Sequence, residues 1–480
     1  MGKLEGLKPA EVFHYFEEIS RIPHGSGNVD AISDYLKDFA QSRGLFCVQD
    51  EVKNIIIIKE AAPGYEEEEP VLLQGHMDMV AVKDADCAKD MTKEGLDLKT
   101  DGDWLYAQGT SLGGDDGIAV AYALALLDSD SIPHPRLEVI ITVDEETGME
   151  GANAIDLSVC KGRRMLNLDY EEEGVLLTSC AGGARVHGRL PLSRGKMAGA
   201  CMEIELEGLL GGHSGAEIDK GRVNANALLG RLMRSLPEKA QARFLSLEGG
   251  SADNAIPSAA HAALVVKKGA VPAVREALAA LEKTVRREYE STDPGLVVRI
   301  EKEEDGEWEA FSEESTEKIT AILYLMPNGI RRMSPDIPGL VQTSLNLGIL
   351  RTEEDCVCFD YSVRSSVGSE KDMLIDQVCL LLSSQGAEYT VSGSYPAWEY
   401  RKDSALRDRM IRIYEEMFHA SPRVEAIHAG LECGILAAKL PGLDCVSIGP
   451  DMKDIHTPRE RLSISSTERV WNYILEILKK

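Results

Sequence analysis

Five segments of this chain carry histidine or carboxylate where an apolar run breaks off or begins. They read Gly75-His76-Met77-Asp78, Gly114-Asp115-Asp116-Gly117, Asp144-Glu145-Glu146-Thr147-Gly148, Asn167-Leu168-Asp169 and Ile455-His456-Thr457-Pro458. Histidine, aspartate and glutamate are the ligands that hold Zn²⁺ or a similar ion where no thiolate is used. A spare carboxylate beside such ligands can act as a general base. Each segment alone has a plainer reading. His76 and Asp78, two apart on an extended segment, can be ordinary loop hydrogen bonding. Asp115 can simply cap the helix that follows it. Glu145 and Glu146 can be an exposed acidic turn, although adjacent carboxylates repel unless a cation or proton separates them. His456 can be a solvated loop residue. Five such segments ending where a sheet would place its site argue jointly for a metal-dependent hydrolase.

The order of elements supports that placement. Short apolar runs at 55–58, 71–73, 137–143 and 164–168, the first of them wholly β-branched, predict buried strands, and 9–19 and 30–42 have the spacing of helices. Residues 117–127 are apolar nearly all round, which predicts a buried helix. Alternation of this kind predicts an α/β layer on a mixed, mostly parallel sheet, with ligands beyond the carboxyl ends of the strands. The character changes near Ala181-Gly182-Gly183. Strands at 202–207, 261–266 and 296–300, a hairpin from 341–347 to 356–363, and helices at 222–233, 271–289, 316–324 and 370–384 read as two α+β units in tandem. From residue 404 the α/β style returns. If His456 joins the earlier ligands, the middle is an insertion with adjacent ends. The expected division is a discontinuous α/β domain over 1–183 and 398–480, with an inserted α+β domain over 184–397.

Charge narrows the partners. The chain has 480 residues, 52 Lys and Arg against 80 Asp and Glu, and a formal charge of −28. Nucleic acid and anionic membranes need a basic patch, so neither is expected as a partner. No apolar run reaches the roughly 18 residues of a membrane helix. The first six residues hold no signal-peptide core, and Gly6 stands where a myristoylation motif has Ser or Thr. The ten cysteines contain no CxxC pair. They read as reduced packing residues of a cytoplasmic protein, and Cys356 and Cys358, though on one strand face, do not form a metal-ligand pattern.

Taken together, LLQGHMDMV, TSLGGDDGIAVA, ITVDEETGMEGA, LNLDYEEEG, GGHSG with NANALL, NAIP, HAGLECG and SIGPDMKDIHTPRER resemble the M20 family of co-catalytic zinc peptidases. Within it they resemble the Xaa-His dipeptidase branch. The resemblance implies two divalent metal ions, zinc foremost, with Mn²⁺ or Co²⁺ as alternatives. His76, Asp115 and Asp169 would hold one ion. Asp115, Glu146 and His456 would hold the other, with Asp115 bridging. Glu145 would be the general base and Asp78 would clamp His76. A non-proline cis peptide is expected at Asp115–Asp116. The 184–397 domain would be a lid and dimerisation domain of a homodimer. Its His213 would reach the substrate carbonyl, Asn254 and Arg364 would grip the substrate carboxylate, and His428 and Glu432 would line the pocket. The family pattern carries Asn where Asp116 stands, so an added negative charge beside the bridge is expected to bear on metal preference. The implied activity is hydrolysis of unblocked small dipeptides, Xaa-His included. An N-acyl-amino-acid deacylase or a tripeptidase is the rival enzyme, and a non-catalytic peptide-binding module is the rival outside enzymes.

Overall fold

The short apolar runs of the N-terminal part form the middle of an eight-stranded sheet in the computed structural model, which describes residues 2–480. By its contacts the chain divides into two units. One runs to Ser179 and adds Tyr400–Ala426 and Leu431–Lys480; the other comprises Cys180–Glu399 and Ile427–Gly430.

In the first unit the strand order is Phe46–Gln49, Ile55–Lys59, Leu137–Thr142, Val71–His76, Arg164–Asn167, Asp444–Ser447, Val175–Cys180 and Arg423–Ile427. The four strands from Leu137–Thr142 to Asp444–Ser447 run parallel. The Phe46–Gln49 and Ile55–Lys59 strands join antiparallel at one side and Val175–Cys180 at the other. The sheet is therefore mixed, with its parallel part at the centre. Every residue of Val71–His76 and Leu137–Thr142 is buried, as expected of strands covered on both faces. The helix Gly114–Asp128 is buried at every position from Gly114 to Leu127, and its Tyr122 stacks on Trp471 of the closing helix Ile464–Leu478 with ring centroids 5.9 Å apart. A small four-stranded sheet, absent from the sequence expectation, pairs Met452–Lys453, Arg461–Ser463, Trp104–Ala107 and Leu98–Asp101 in that order. Its first two strands bracket the loop that carries His456.

The second unit is a nine-stranded antiparallel sheet with helices Ala225–Ser235, Val271–Glu288, Glu313–Leu325 and Gly368–Ser384 over one apolar core. Here the tandem expectation needs amending. The halves are not consecutive in the chain, because Gly182–Pro191 pairs with Cys356–Ser365 of the later half. The two halves fuse into one sheet through a short pairing of Glu248 with Arg351 and Gly249 with Leu350. No helix among the described residues is long and apolar enough to cross a membrane.

Candidate metal centre

His76 closes its strand with the ring turned back on its own chain. Nδ1 lies 3.0 Å from the Asp78 carbonyl oxygen and 3.4 Å from the Asp78 carboxylate. A proton on Nδ1 satisfies both acceptors and leaves the Nε2 lone pair facing outward, as a metal-ligating imidazole requires. That Nε2 is 3.1 Å from Asp115 Oδ1 and 3.6 Å from Asp169 Oδ1. From the opposite side, His456 Nε2 is 3.0 Å from Asp115 Oδ2 and 2.8 Å from Glu146 Oε1. The Asp115 carboxylate thus faces one imidazole with each oxygen. Ligand atoms of Asp115, Glu146 and His456 all lie within 4.8 Å of one another, as do those of His76, Glu145 and Glu146 and those of His76, Asp116 and Asp169.

Local backbone sets this convergence. Gly113 takes a left-handed conformation ahead of Asp115, and the Asp115–Asp116 peptide is cis. The main-chain N–H groups of Leu112, Gly113, Gly114 and Asp115 all donate to the carboxylate of Glu460, at 2.8, 3.0, 2.8 and 3.3 Å. Glu460 ends the same loop that presents His456, so one loop supplies a candidate ligand and also seats the turn holding the carboxylate opposite it. Across the sheet, Asp78 accepts from Glu145 N–H at 3.1 Å through Oδ1 and from the Ser26 hydroxyl at 2.8 Å through Oδ2. It therefore holds the Glu145 loop as well as the His76 ring. Gly75 leaves room for Asp116, because a Cβ there would stand 2.3 Å from Asp116 Oδ2.

A buried polar layer supports the strand ends. Asn167 Nδ2 donates to Gln74 Oε1 at 2.6 Å, and Gln74 Nε2 and the Thr142 hydroxyl each donate to Glu432 Oε2 at 2.6 Å. Gln74 and Asn167 each precede a candidate ligand by two residues, and Thr142 precedes Glu145 by three. Glu432 is fully buried in this layer, under the acidic cluster. Sequence reasoning missed Glu460, Gln74, Thr142 and Asn167. For the last three the available signal was a polar residue inside an apolar strand; Glu460, in a loop, offered no such signal.

Charge is in surplus. Among the described residues, the ion pairs of Asp78, Asp115, Glu146 and Asp169 are all with His76 or His456, never with Lys or Arg. Burial, with Asp169 and Glu146 nearby, pushes the Glu145 carboxyl up to about 8. Burial and Asp115 push Asp169 up to about 7. Burial and Asp169 push Asp116 well above the usual carboxylate range. Burial, with Glu145 nearby, raises Glu432 to about 8. The adjacent Asp115 and Glu146 carboxylates raise His456 to about 10. Burial opposes the shift at His76, yet Asp169, Asp115 and Asp78 hold its imidazole well above 6.5. Asp115 moves the other way: burial would raise it, but the two imidazoles hold it well below the usual range. Such a cluster asks for cations. Glu146 Oε1 makes the same point, since it is buried 2.8 Å from His456 Nε2 yet out of hydrogen-bond alignment with it. Two lone pairs directed at one shared ion would stand this way. The oxygen and imidazole donor set suits a divalent ion.

The remaining candidates belong to the second unit. His213 Nδ1 accepts from the N–H groups of Gly215 and Ala216 at 3.2 and 3.0 Å, which leaves its proton on Nε2. Arg364 donates to the Tyr395 hydroxyl at 3.3 Å, and Ser344 Oγ lies 2.7 Å from His428 Nε2. A Cβ on Gly215 would meet the His428 carbonyl, His213 Cε1 and Arg364 Cζ at 2.8, 2.9 and 3.2 Å, so these three residues crowd one glycine. Asn254 is exposed, and its main-chain oxygen accepts from Ser214 N–H at 2.8 Å.

The geometry is that of a hydrolase centre built on an α/β sheet, and the chain belongs to peptidase family M20/M25/M40, whose model matches residues 72–480. Its relatives include the cytosol non-specific dipeptidase of Escherichia coli K12, 34% identical over 100% of this chain and 99% of that protein. The crystal structure of aminoacylhistidine dipeptidase from Vibrio alginolyticus matches with a TM-score of 0.94 at 34% identity, over 99% of this chain and 97% of that one. A tripeptidase structure from Staphylococcus aureus, at 17% identity and a TM-score of 0.56 over 98% of each chain, shares the fold.

Proposed function

We propose that this chain is a metal-dependent dipeptidase that hydrolyses unblocked dipeptides, Xaa-His among them. The observation that carries the reading is the Asp115 carboxylate, with an imidazole at each oxygen and the Glu145 carboxyl beside it. The full-length likeness to two dipeptidases supports the substrate class. In this reading His76, Asp115 and Asp169 hold one divalent ion and Asp115, Glu146 and His456 the other, with zinc first and Mn²⁺ or Co²⁺ as alternatives. When bound, the pair supplies Lewis acidity and makes water a nucleophile near neutral pH.

The side chains do the rest. Glu145 takes the proton of the attacking water and returns it to the leaving amine. Asp78 keeps the His76 ring in one tautomer and anchors the Glu145 backbone. His213, with its proton on Nε2, is a donor for the oxygen that gains charge as the carbonyl is attacked. Arg364 and Asn254 take the carboxylate end of the substrate, and His428 and Glu432 set the shape around it. The second unit serves as lid and dimerisation surface of a cytoplasmic homodimer.

The test is a substrate panel after chelation and reconstitution with Zn²⁺, Mn²⁺ or Co²⁺. β-Ala-His and Gly-His should be cleaved while N-acetylated amino acids and tripeptides are spared. Cleavage of only the blocked substrates makes the chain a deacylase, and cleavage of only tripeptides makes it a tripeptidase. Peptide binding without turnover makes it a binding module.

A further inference from the structure

A second set of ligand atoms stands in the other unit, at the turn between the strands Val341–Thr352 and Cys356–Ser365. Cys356 and Cys358 are two apart on one strand and therefore share a face. Their sulfurs are 3.7 Å apart. The turn brings Glu353 back over them, fixed by its N–H donating to the Cys356 carbonyl at 2.8 Å. Cys356 Sγ lies 3.5 Å from Glu353 Oε2. Ligand atoms of all three residues lie within 4.8 Å of one another.

These spacings have a geometric meaning. Two thiolates at ~2.3 Å from one tetrahedral ion are about 3.8 Å apart, and a thiolate and a carboxylate oxygen on it are about 3.6 Å apart. The observed separations match both. Arg351 holds Oε1 of Glu353 at 2.9 Å, so Oε2 is the oxygen left for the sulfurs. Arg189 donates through Nε to Cys356 Sγ at 2.9 Å and through Nη2 to Asp355 at 2.7 Å. Two thiolates and one carboxylate around a divalent ion leave a net charge of −1, and the Arg189 guanidinium beside Cys356 offsets it. Cys356 is buried and Cys358 half-buried, so the sulfurs are screened yet reachable.

We propose that Glu353, Cys356 and Cys358 form a separate site for a thiophilic divalent ion such as Zn²⁺ or Cd²⁺, with the fourth position left to water. Two thiolates make it softer than the carboxylate and imidazole cluster of the first unit, which contains no sulfur. The ion staples the hairpin turn to its strand. The spacing Cys-x-Cys, which in the sequence reads as packing, becomes a ligand pattern only once the turn returns Glu353 to the same face.

Cobalt and cadmium titration of the full-length chain tests this, because thiolate-to-metal charge-transfer absorption arises only where sulfur binds. The reduced wild-type protein should show that absorption, saturating at one ion per chain. Cys358→Ser should abolish it with dipeptide hydrolysis unchanged, and Glu353→Gln, which keeps both thiols, should weaken binding roughly tenfold. Absence of the band in wild-type protein overturns the site. So does an unchanged band in Cys358→Ser, or failure of the reduced protein to take up metal while a mild oxidant removes two protons and two electrons from the pair to form a Cys356–Cys358 disulfide.

Discussion

At the scale of single residues, two carboxylates a few ångströms apart are given opposite duties. Asp115 touches both imidazoles, whereas Glu145 reaches the centre without an ion pair to either. Glu145→Ala should therefore keep its metal by elemental analysis while kcat falls about 10³-fold or more. Asp115→Ala should lose metal from the purified protein. A Glu145→Ala protein that still turns over removes Glu145 from the base role. Asp116 is a third case. Sequence reasoning expected it to add a charge beside the bridge, but burial beside Asp169 favours its neutral form, and one oxygen already accepts from His76 N–H at 3.2 Å. The amide oxygen of Asn can accept that bond equally well. Asp116→Asn should keep metal content and hold kcat/KM within about threefold of wild type; a loss of a hundredfold would show that the carboxyl itself is used. The candidate ligands were legible because most stand where an apolar run breaks off or begins. Gln74, Thr142 and Asn167 were not, because a polar residue inside a buried strand looks like an interruption until Glu432, from a helix hundreds of residues later, accepts from Gln74 and Thr142, and Gln74 from Asn167.

At the scale of elements, the central strands and the buried helix could be read from short and all-round apolar runs. The strand Glu388–Tyr395 was missed because all but its last residue is exposed and Gly393 interrupts the alternation of Tyr389, Val391 and Tyr395 with polar residues. Nor was the small sheet legible: its Met452–Lys453 and Arg461–Ser463 strands are two and three residues long and are defined only by pairing with each other and, through Arg461–Ser463, with Trp104–Ala107. Yet that sheet decides where His456 stands. The loop between its two short strands returns Glu460 beneath the Asp115 turn, where one carboxylate collects four backbone N–H groups. Glutamine keeps the shape but turns an N–H₂ group toward donors. Glu460→Gln should then lower unfolding stability by about 1–3 kcal/mol. It should also weaken metal retention in dialysis by roughly tenfold or more. Stability lost without any change in metal retention would confine Glu460 to holding the loop.

At the scale of the whole molecule, acid attacks the second unit through a buried imidazole. Burial, together with the charge of Arg364 and nearby His213, pushes His428 down to about 3. Its Nε2 faces the Ser344 hydroxyl, and among the described residues no carboxylate pairs with it. In the unfolded chain the same imidazole titrates near 6.5. Below that value the unfolded state binds a proton that the folded state refuses, so stability falls with falling pH. The contribution is complete above about 6.5 and drains away toward about 3. By pH 5 the loss from this group alone approaches about 2 kcal/mol, at 1.36 kcal/mol for each pH unit. His428→Gln cannot take that proton in either state. It carries a constant penalty for the altered contact with Ser344, but its unfolding free energy should fall less steeply between pH 7 and 5 than that of the wild type. His24 and His134, whose pKa values burial also lowers, are present in both proteins, as are the carboxylates of the metal centre, so their contributions cancel in the comparison. Denaturant unfolding at a series of pH values, followed on both proteins with the same metal content, separates slope from offset. Parallel curves would mean that His428 becomes protonated in the folded protein as readily as in the unfolded chain, and that its burial is relieved when it gains charge.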